Sequence, residues 1–249
     1  MLNNLAEAYR SQEQYGQAES LHQRALHIRE RVLGPEHPDV AASQHNLAGL
    51  YAAQGQYGKA ESLYVHALAV REKTLGPDHA ELAASLNALA ELYRNQSWYD
   101  KAEPLYLRAV ATWQTTLGPH HADLATCLHN LAELYRVQGH YPQAEALALQ
   151  VLAMRERLFG PDHADVATSL NTLALLFVAQ AQYDKAEPLY VRAVATGEQA
   201  LGQDHADMAV LLEDYAALLR HTQRTTRAVT IQARATAIRA RYAQQSSPQ

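Results

Sequence analysis

The chain has 249 residues, 48% of them hydrophobic, and a formal net charge of −5. That apolar share excludes wholesale disorder, and the acidic balance argues against a general nucleic-acid binder. No apolar run approaches the roughly 20 residues of a membrane span, and a single cysteine, Cys127, excludes a disulfide framework.

The first segment, "MLNNLAEAYR" (1–10), reads as a helix that begins without a linker before it. An abrupt native start or a piece cut from a longer chain would each give that pattern. The segment is polar and lacks the basic-then-apolar order of a secretory leader, so the expected location is the cytoplasm. A second helix follows and ends at "LGPEH" (33–37). From there the phrase returns as "LGPDH" (75–79), "LGPHH" (117–121), "FGPDH" (159–163) and "LGQDH" (201–205).

The glycines Gly34, Gly76, Gly118, Gly160 and Gly202 are spaced by 42 residues without an insertion. Tyr9, Tyr51, Tyr93, Tyr135 and Phe177 keep the same beat, as do Ala18, Ala60, Ala102, Ala144, Ala186 and Ala228. A fixed period of this size predicts a solenoid, in which each unit buries its apolar face only against its neighbours. The expected repeats are 1–37, 38–79, 80–121, 122–163, 164–205 and 206–242. The last is a degenerate cap, and a disordered tail is expected at 243–249.

Each unit is helical twice over. In "LAASLNALAELYRNQ" (82–96), Leu86, Leu89, Ala90, Leu92 and Tyr93 fall at three- and four-residue spacing. "WYDKAEPLYLRAVATWQTTLG" (98–118) repeats the pattern with Ala102, Leu105, Tyr106, Ala109 and Val110. No stretch alternates with the strand period. The predicted fold is all-α, about six helix-turn-helix pairs stacked as a right-handed α-solenoid in one domain.

The "LGPDH" phrase resembles a metal or proton-transfer motif but reads better as punctuation. Glycine ends the second helix cheaply, proline blocks its continuation, and an acidic residue opens the next helix. Packed helices lie about 10 Å apart, so the linker histidines cannot converge on one metal ion. The acidic row Glu19, Glu61, Glu103, Glu145 and Glu187 is expected to cap the second helices, because Asp100–Glu103 and Asp184–Glu187 have capping-box spacing. Cys127 and His129 lie two apart on a helix and point different ways. No Gly-rich phosphate loop or "HEXXH" pattern is present. The chain is therefore expected to be no enzyme and to need no cofactor or metal.

With those residues laid out, the chain resembles the tetratricopeptide repeat family. The small–large signature falls on Leu47, Ala48, Tyr51, Ala60, Tyr64 and Ala67 and recurs in later units. The 42-residue unit and the "NNLAELY" and "YDKAEPLYLRA" phrasing are similar to the long repeats of kinesin light chains. The resemblance implies a protein-binding module, so the expected partner is a protein or peptide; charge and the lack of a long apolar run argue against nucleic acid and membrane. Related arrays hold the backbone of an extended peptide with an Asn on the concave side. That register here reads Asn3, His45, Asn87, His129, Asn171, Glu213. A parallel row reads Glu7, Gly49, Glu91, Glu133, Leu175, Ala217, and a third Arg10, Ala52, Arg94, Arg136, Val178, Arg220.

The expected peptide-binding residues are thus Asn3, His45, Asn87, His129, Asn171, Glu91, Glu133, Arg94 and Arg136. The arginines would favour an acidic segment lying across repeats two to five, and the two histidines would make binding pH-sensitive. In a plainer reading, Glu91–Arg94 and Glu133–Arg136 are surface i,i+3 pairs. The alternative function is a structural or self-associating scaffold, or the sensor region of a larger signalling protein, with Trp98 and Trp113 as exposed contact residues.

Overall fold

The computed structural model describes residues 2–12 and 14–245. Among them run twelve helices and no strand: α1 (Leu2–Ser11), α2 (Tyr15–Leu33), α3 (Pro38–Ala53), α4 (Tyr57–Leu75), α5 (Ala80–Asn95), α6 (Tyr99–Thr116), α7 (Ala122–Gln138), α8 (Tyr141–Phe159), α9 (Ala164–Ala179), α10 (Tyr183–Leu201), α11 (Ala206–His221) and α12 (Thr225–Gln245). Consecutive helices pack in pairs, as a helical repeat array requires. They group into two compact units, Met1–Asn130 and Leu131–Gln249, whose boundary falls within α7. α12 continues to Gln245, past the expected end of the array at 242. The remainder of the expected tail, 246–249, lies outside the described residues.

The turn chemistry follows the sequence. Gly34, Gly76, Gly160 and Gly202 end α2, α4, α8 and α10 at φ of +84°, +82°, +86° and +88°. The linker histidine does more than its neighbours suggest. The Nδ1 atoms of His37, His79, His121, His163 and His205 accept the main-chain N–H two residues on, at 3.1–3.3 Å. Each histidine is therefore an N-cap, satisfying a donor that the first helical turn leaves free.

The core is a ladder of alanines and leucines. Ala18, Ala60, Ala102 and Ala186 have no exposed surface where two helices meet, and Leu50, Leu92, Leu134, Leu176 and Leu218 are buried in the same period. Fully burying one such leucine is worth about 1.5–3 kcal/mol.

Polar ties join one repeat to the next. Arg29, Arg71 and Arg155 each use Nη1 twice, donating to the Ser43, Ser85 or Ser169 hydroxyl and to the carbonyl of Asp39, Glu81 or Asp165. At the same register Trp113 stands opposite Cys127, and Gly197 opposite Leu211. Arginine and serine are thus lost together. Cys127 is sealed in, its thiol pushed up to about 12 by burial. Trp113, expected as an exposed contact, is only 4% exposed. It occupies a core position that other repeats give to arginine.

The acidic row departs from its expected role. Glu19 and Glu61 accept hydrogen bonds from the next repeat's Tyr51 and Tyr93, at 3.0 and 2.9 Å. The N-cap residues Gln14, Gln56, Trp98 and Gln182 form no side-chain cap, so the capping box does not form in these second helices. Glu187 instead pairs with Arg224, just before α12, and with Arg227 in its first turn. Arg234, Arg239 and Arg241 pair with Glu198, Glu213 and Asp204, so the polar last helix is tied down by charge as well as by burial.

Candidate functional site

The candidate residues lie on the first helices of the repeats, each turned partly away from the alanine–leucine core. In the unit formed by residues 1–130, His45, Asn87, His129, Asn3 and Arg94 are half-buried, while Glu91 is exposed. The Glu7 side chain lies outside what is described. Asn87 Oδ1 accepts from Asn130 Nδ2 of the next first helix, at 3.3 Å. The amide expected to be available for a ligand is therefore already engaged on one side. His45 packs edge-on against Tyr64, with ring centroids 5.2 Å apart. Its Nδ1 is enclosed without a hydrogen-bond partner.

Burial, with a smaller push from the Arg71 charge, brings the His45 imidazole down to about 4. It is neutral at physiological pH, which corrects the expectation that it senses pH in that range. No ion pair joins Glu91 and Arg94 among the described residues. Both lie near the Tyr106 hydroxyl, which burial raises well above its usual range, with Arg94 opposing and Glu91 adding to the rise.

A recess of about 290 Å³ opens on this face, lined by Arg10, Gly49, Ala52, Tyr64, Ala88 and Glu91 among others. It exists because repeat two carries Gly49 and Ala52 where repeat three carries Glu91 and Arg94. A Cβ at residue 49 would stand 3.3 Å from the Tyr64 hydroxyl, so even alanine is tight there.

In the unit formed by residues 131–249 the same register continues with Glu133, Arg136, Asn171 and Glu213. Glu133 and Arg136 form an i,i+3 ion pair, with Arg136 Nη2 2.8 Å from Glu133 Oε2, and both side chains are half-buried rather than on the open surface. Burial pulls the Arg136 guanidinium down, but the hydrogen bond and charge of Glu133, with Asp214, more than restore it. Asn171 Nδ2 donates to Asp214 Oδ2 at 3.0 Å, while Asn171 Oδ1 is buried without a partner. Burial raises the Asp214 carboxyl against the lowering effects of Asn171 and Arg136. The Tyr190 ring stacks on Tyr215 with centroids 5.5 Å apart, its hydroxyl buried near Asp214 and Arg136.

The structure thus sets the candidates Glu133, Arg136 and Asn171 beside Asp214 and Tyr190, two residues that the sequence reading did not single out. Asp214 sits one residue past the first row, and Tyr190 is in phase with Tyr64 and Tyr106, so a signal existed for both. Trp98 is 41% exposed and carries the Lys101 ammonium 4.3 Å above its ring. Among the described residues no group of three His, Cys, Asp or Glu side chains is placed to hold a metal, and no helix is long and apolar enough to cross a membrane.

The sequence matches the tetratricopeptide repeat family over residues 1–73, 39–97, 88–157 and 138–199. No curated protein sequence matches it significantly. Among solved structures it is similar to BtubC (BKLC) from P. vanneervenii, with 26% identity over 90% of both chains and a TM-score of 0.76. It is also similar to a kinesin-light-chain-like protein of nearly identical TPR-like repeats from Podosopora anserina. That match has 30% identity over 79% of this chain and 93% of the other, with a TM-score of 0.68. A Rap protein solved with Competence and Sporulation Factor shares the fold at 16% identity and a TM-score of 0.67, over 98% of this chain and 75% of the other. With all-helical repeats in a 42-residue period and a family match across most of its length, the chain belongs to the tetratricopeptide repeat family, with repeats of the kinesin-light-chain kind.

Proposed function

We propose that this chain is a non-catalytic binding module whose first-helix faces take an extended, partly acidic peptide segment of a partner protein. The observation that carries the reading is the 290 Å³ recess beside Arg10, Tyr64 and Glu91, in a face where Asn87 and Arg94 are only half-buried. An Asn amide offers both donor and acceptor to a peptide backbone regardless of its sequence. The acidic preference rests on Arg94, because Arg136 is already matched by Glu133 and Asp214. A cytoplasmic location belongs to the same proposal. Asn87→Ala, Arg94→Ala and Asn171→Ala should each weaken a captured partner while leaving the helical circular-dichroism spectrum of a folded chain. A partner whose affinity survives all three substitutions together refutes the reading.

A scaffold role is the second reading, and one row of side chains favours it. Val65, Leu107, Leu149 and Val191 recur at 42-residue spacing on the second helices, each 46–48% exposed. Mass in solution measured across concentration separates the two, since only the scaffold reading requires a stable oligomer.

A further inference from the structure

The arginine clamp has one departure that leaves space behind. Gly197 stands at the register of Arg29, Arg71 and Arg155, Leu211 at that of Ser43, Ser85 and Ser169, and Asp207 at that of Asp39, Glu81 and Asp165. All three line a recess of about 320 Å³, with Ala167, Leu201 and Met208 on its walls and Asp165 at its edge. Met208 fills part of the missing side chain's volume. Its Sδ lies 2.7 Å from the point where a Cβ on residue 197 would stand. Its flexible thioether can repack.

We propose that this recess is a binding site for an arginine side chain supplied by a partner protein, taken in trans where the chain's own arginine is glycine. The alkyl stem would lie along Ala167, Leu201, Met208 and Leu211, as long cationic side chains lie on apolar surface. The guanidinium would reach the Asp207 carbonyl, as Arg29, Arg71 and Arg155 reach the carbonyls of Asp39, Glu81 and Asp165. Leu211 removes the serine acceptor, and the carboxylates of Asp165 and Asp207 replace it. Their side chains are 47% and 77% exposed, well placed to meet an incoming cation. A partner carboxylate would be repelled by both. A neutral aliphatic side chain would fill the walls and leave the carboxylates unused. Arginine suits the site better than lysine because its planar fork can serve a carbonyl and a carboxylate at once. The proposal does not depend on the groove reading, although Asn171 borders both sites, since the two call for side chains of opposite charge.

The test uses the full chain with ¹³C-methyl-labelled methionine. Met208 reports on the recess, and Met154, buried in α8, serves as the internal control. N-acetyl-arginine methylamide should shift the Met208 methyl resonance and leave Met154 in place. The citrulline analogue, which has the same shape without the charge, should bind about tenfold more weakly or worse. Gly197→Arg with Leu211→Ser rebuilds the clamp within the chain and should abolish the Met208 response. Asp207→Asn, an exposed change, should weaken binding severalfold and keeps the test alive if the double variant fails to fold. Asn87→Ala and Arg94→Ala should leave the response intact, separating this site from the proposed groove. An unmoved Met208, an equal response to citrulline, or a response unchanged in Asp207→Asn overturns the proposal.

Discussion

Arg71 Nη1 on α4 donates to the hydroxyl of Ser85 on α5, with Arg71 only 4% exposed and Ser85 fully buried. A charge is thereby held between two repeats by a neutral acceptor, the Glu81 carbonyl and, at 3.3 Å, the Glu81 carboxylate. Ser85→Ala should cost about 1.5–3 kcal/mol, because a hydrogen bond to a buried charged group is lost without relieving its desolvation. Urea unfolding checks the value. A double-mutant cycle with Arg71→Met should return a coupling of the same order, whereas additive losses would mean the hydroxyl only fills space.

Acid should weaken the protein through His45. Its native value of about 4 lies below the 6.5 of a free imidazole, so the unfolded chain binds more protons between those limits. The stabilising effect is complete above about pH 6.5 and is lost as pH falls toward 4, to a maximum on the order of 3 kcal/mol. His45→Asn should flatten the stability-versus-pH curve in that window relative to wild type. Parallel curves for the two proteins would assign the acid loss elsewhere.

The linker histidines invite comparison with the alanine ladder. His79→Ala removes an N-cap acceptor from α5 and should cost about 0.5–2 kcal/mol. Ala102→Leu adds bulk where no surface is exposed and should cost about 1–3 kcal/mol through overpacking. Thermal melts of both variants test the pair. A His79→Ala variant as stable as wild type would make the cap bond idle.

The turn inside each of repeats two to six takes one residue at positive φ. Gly55 and Gly139 supply it at +73° and +79°, but Ser97, Ala181 and Gln223 adopt +61°, +57° and +60° at the equivalent positions. Left-handed backbone costs an L-residue roughly 1–2 kcal/mol. Ala181→Gly should therefore raise stability, by up to about 1 kcal/mol after glycine's greater unfolded-state entropy is subtracted. A lower urea midpoint for that variant would show the entropy term to be larger than the strain.

Much of this architecture was legible because every unit repeats the same local rules. The helix starts at Pro38, Ala80, Ala122, Ala164 and Ala206 follow directly from the 42-residue beat and the Gly-Pro stops. The linker histidine's role was hidden because imidazole is not among the usual capping groups, and only the folded turn brings Nδ1 to the N–H two residues on. The Arg–Ser clamp was visible in principle as a shared register, but its partners sit on different helices, where one helix's periodicity says nothing. The candidate face was legible as a set of positions and not as a set of bonds. Asn87 with Asn130, and Asn171 with Asp214, are 43 residues apart, so only the packing of successive first helices reveals them.

The clamp also restricts how such a chain can grow or shrink by recombination. Excising repeat two would bring Arg29 against Ser85, a matched joint that conserves the hydroxyl acceptor. Excising repeat five would bring Arg155 against Leu211, a mismatched joint that keeps the Asp207 carbonyl as acceptor and loses the hydroxyl, at the cost of one hydrogen bond to a charged group, about 1.5–3 kcal/mol. Duplicating repeat two would create a new joint, Arg71 against Ser43, of the matched kind. The joints thus act as a compatibility code, in which some orders of the same units keep every acceptor of the buried guanidinium and others give one up.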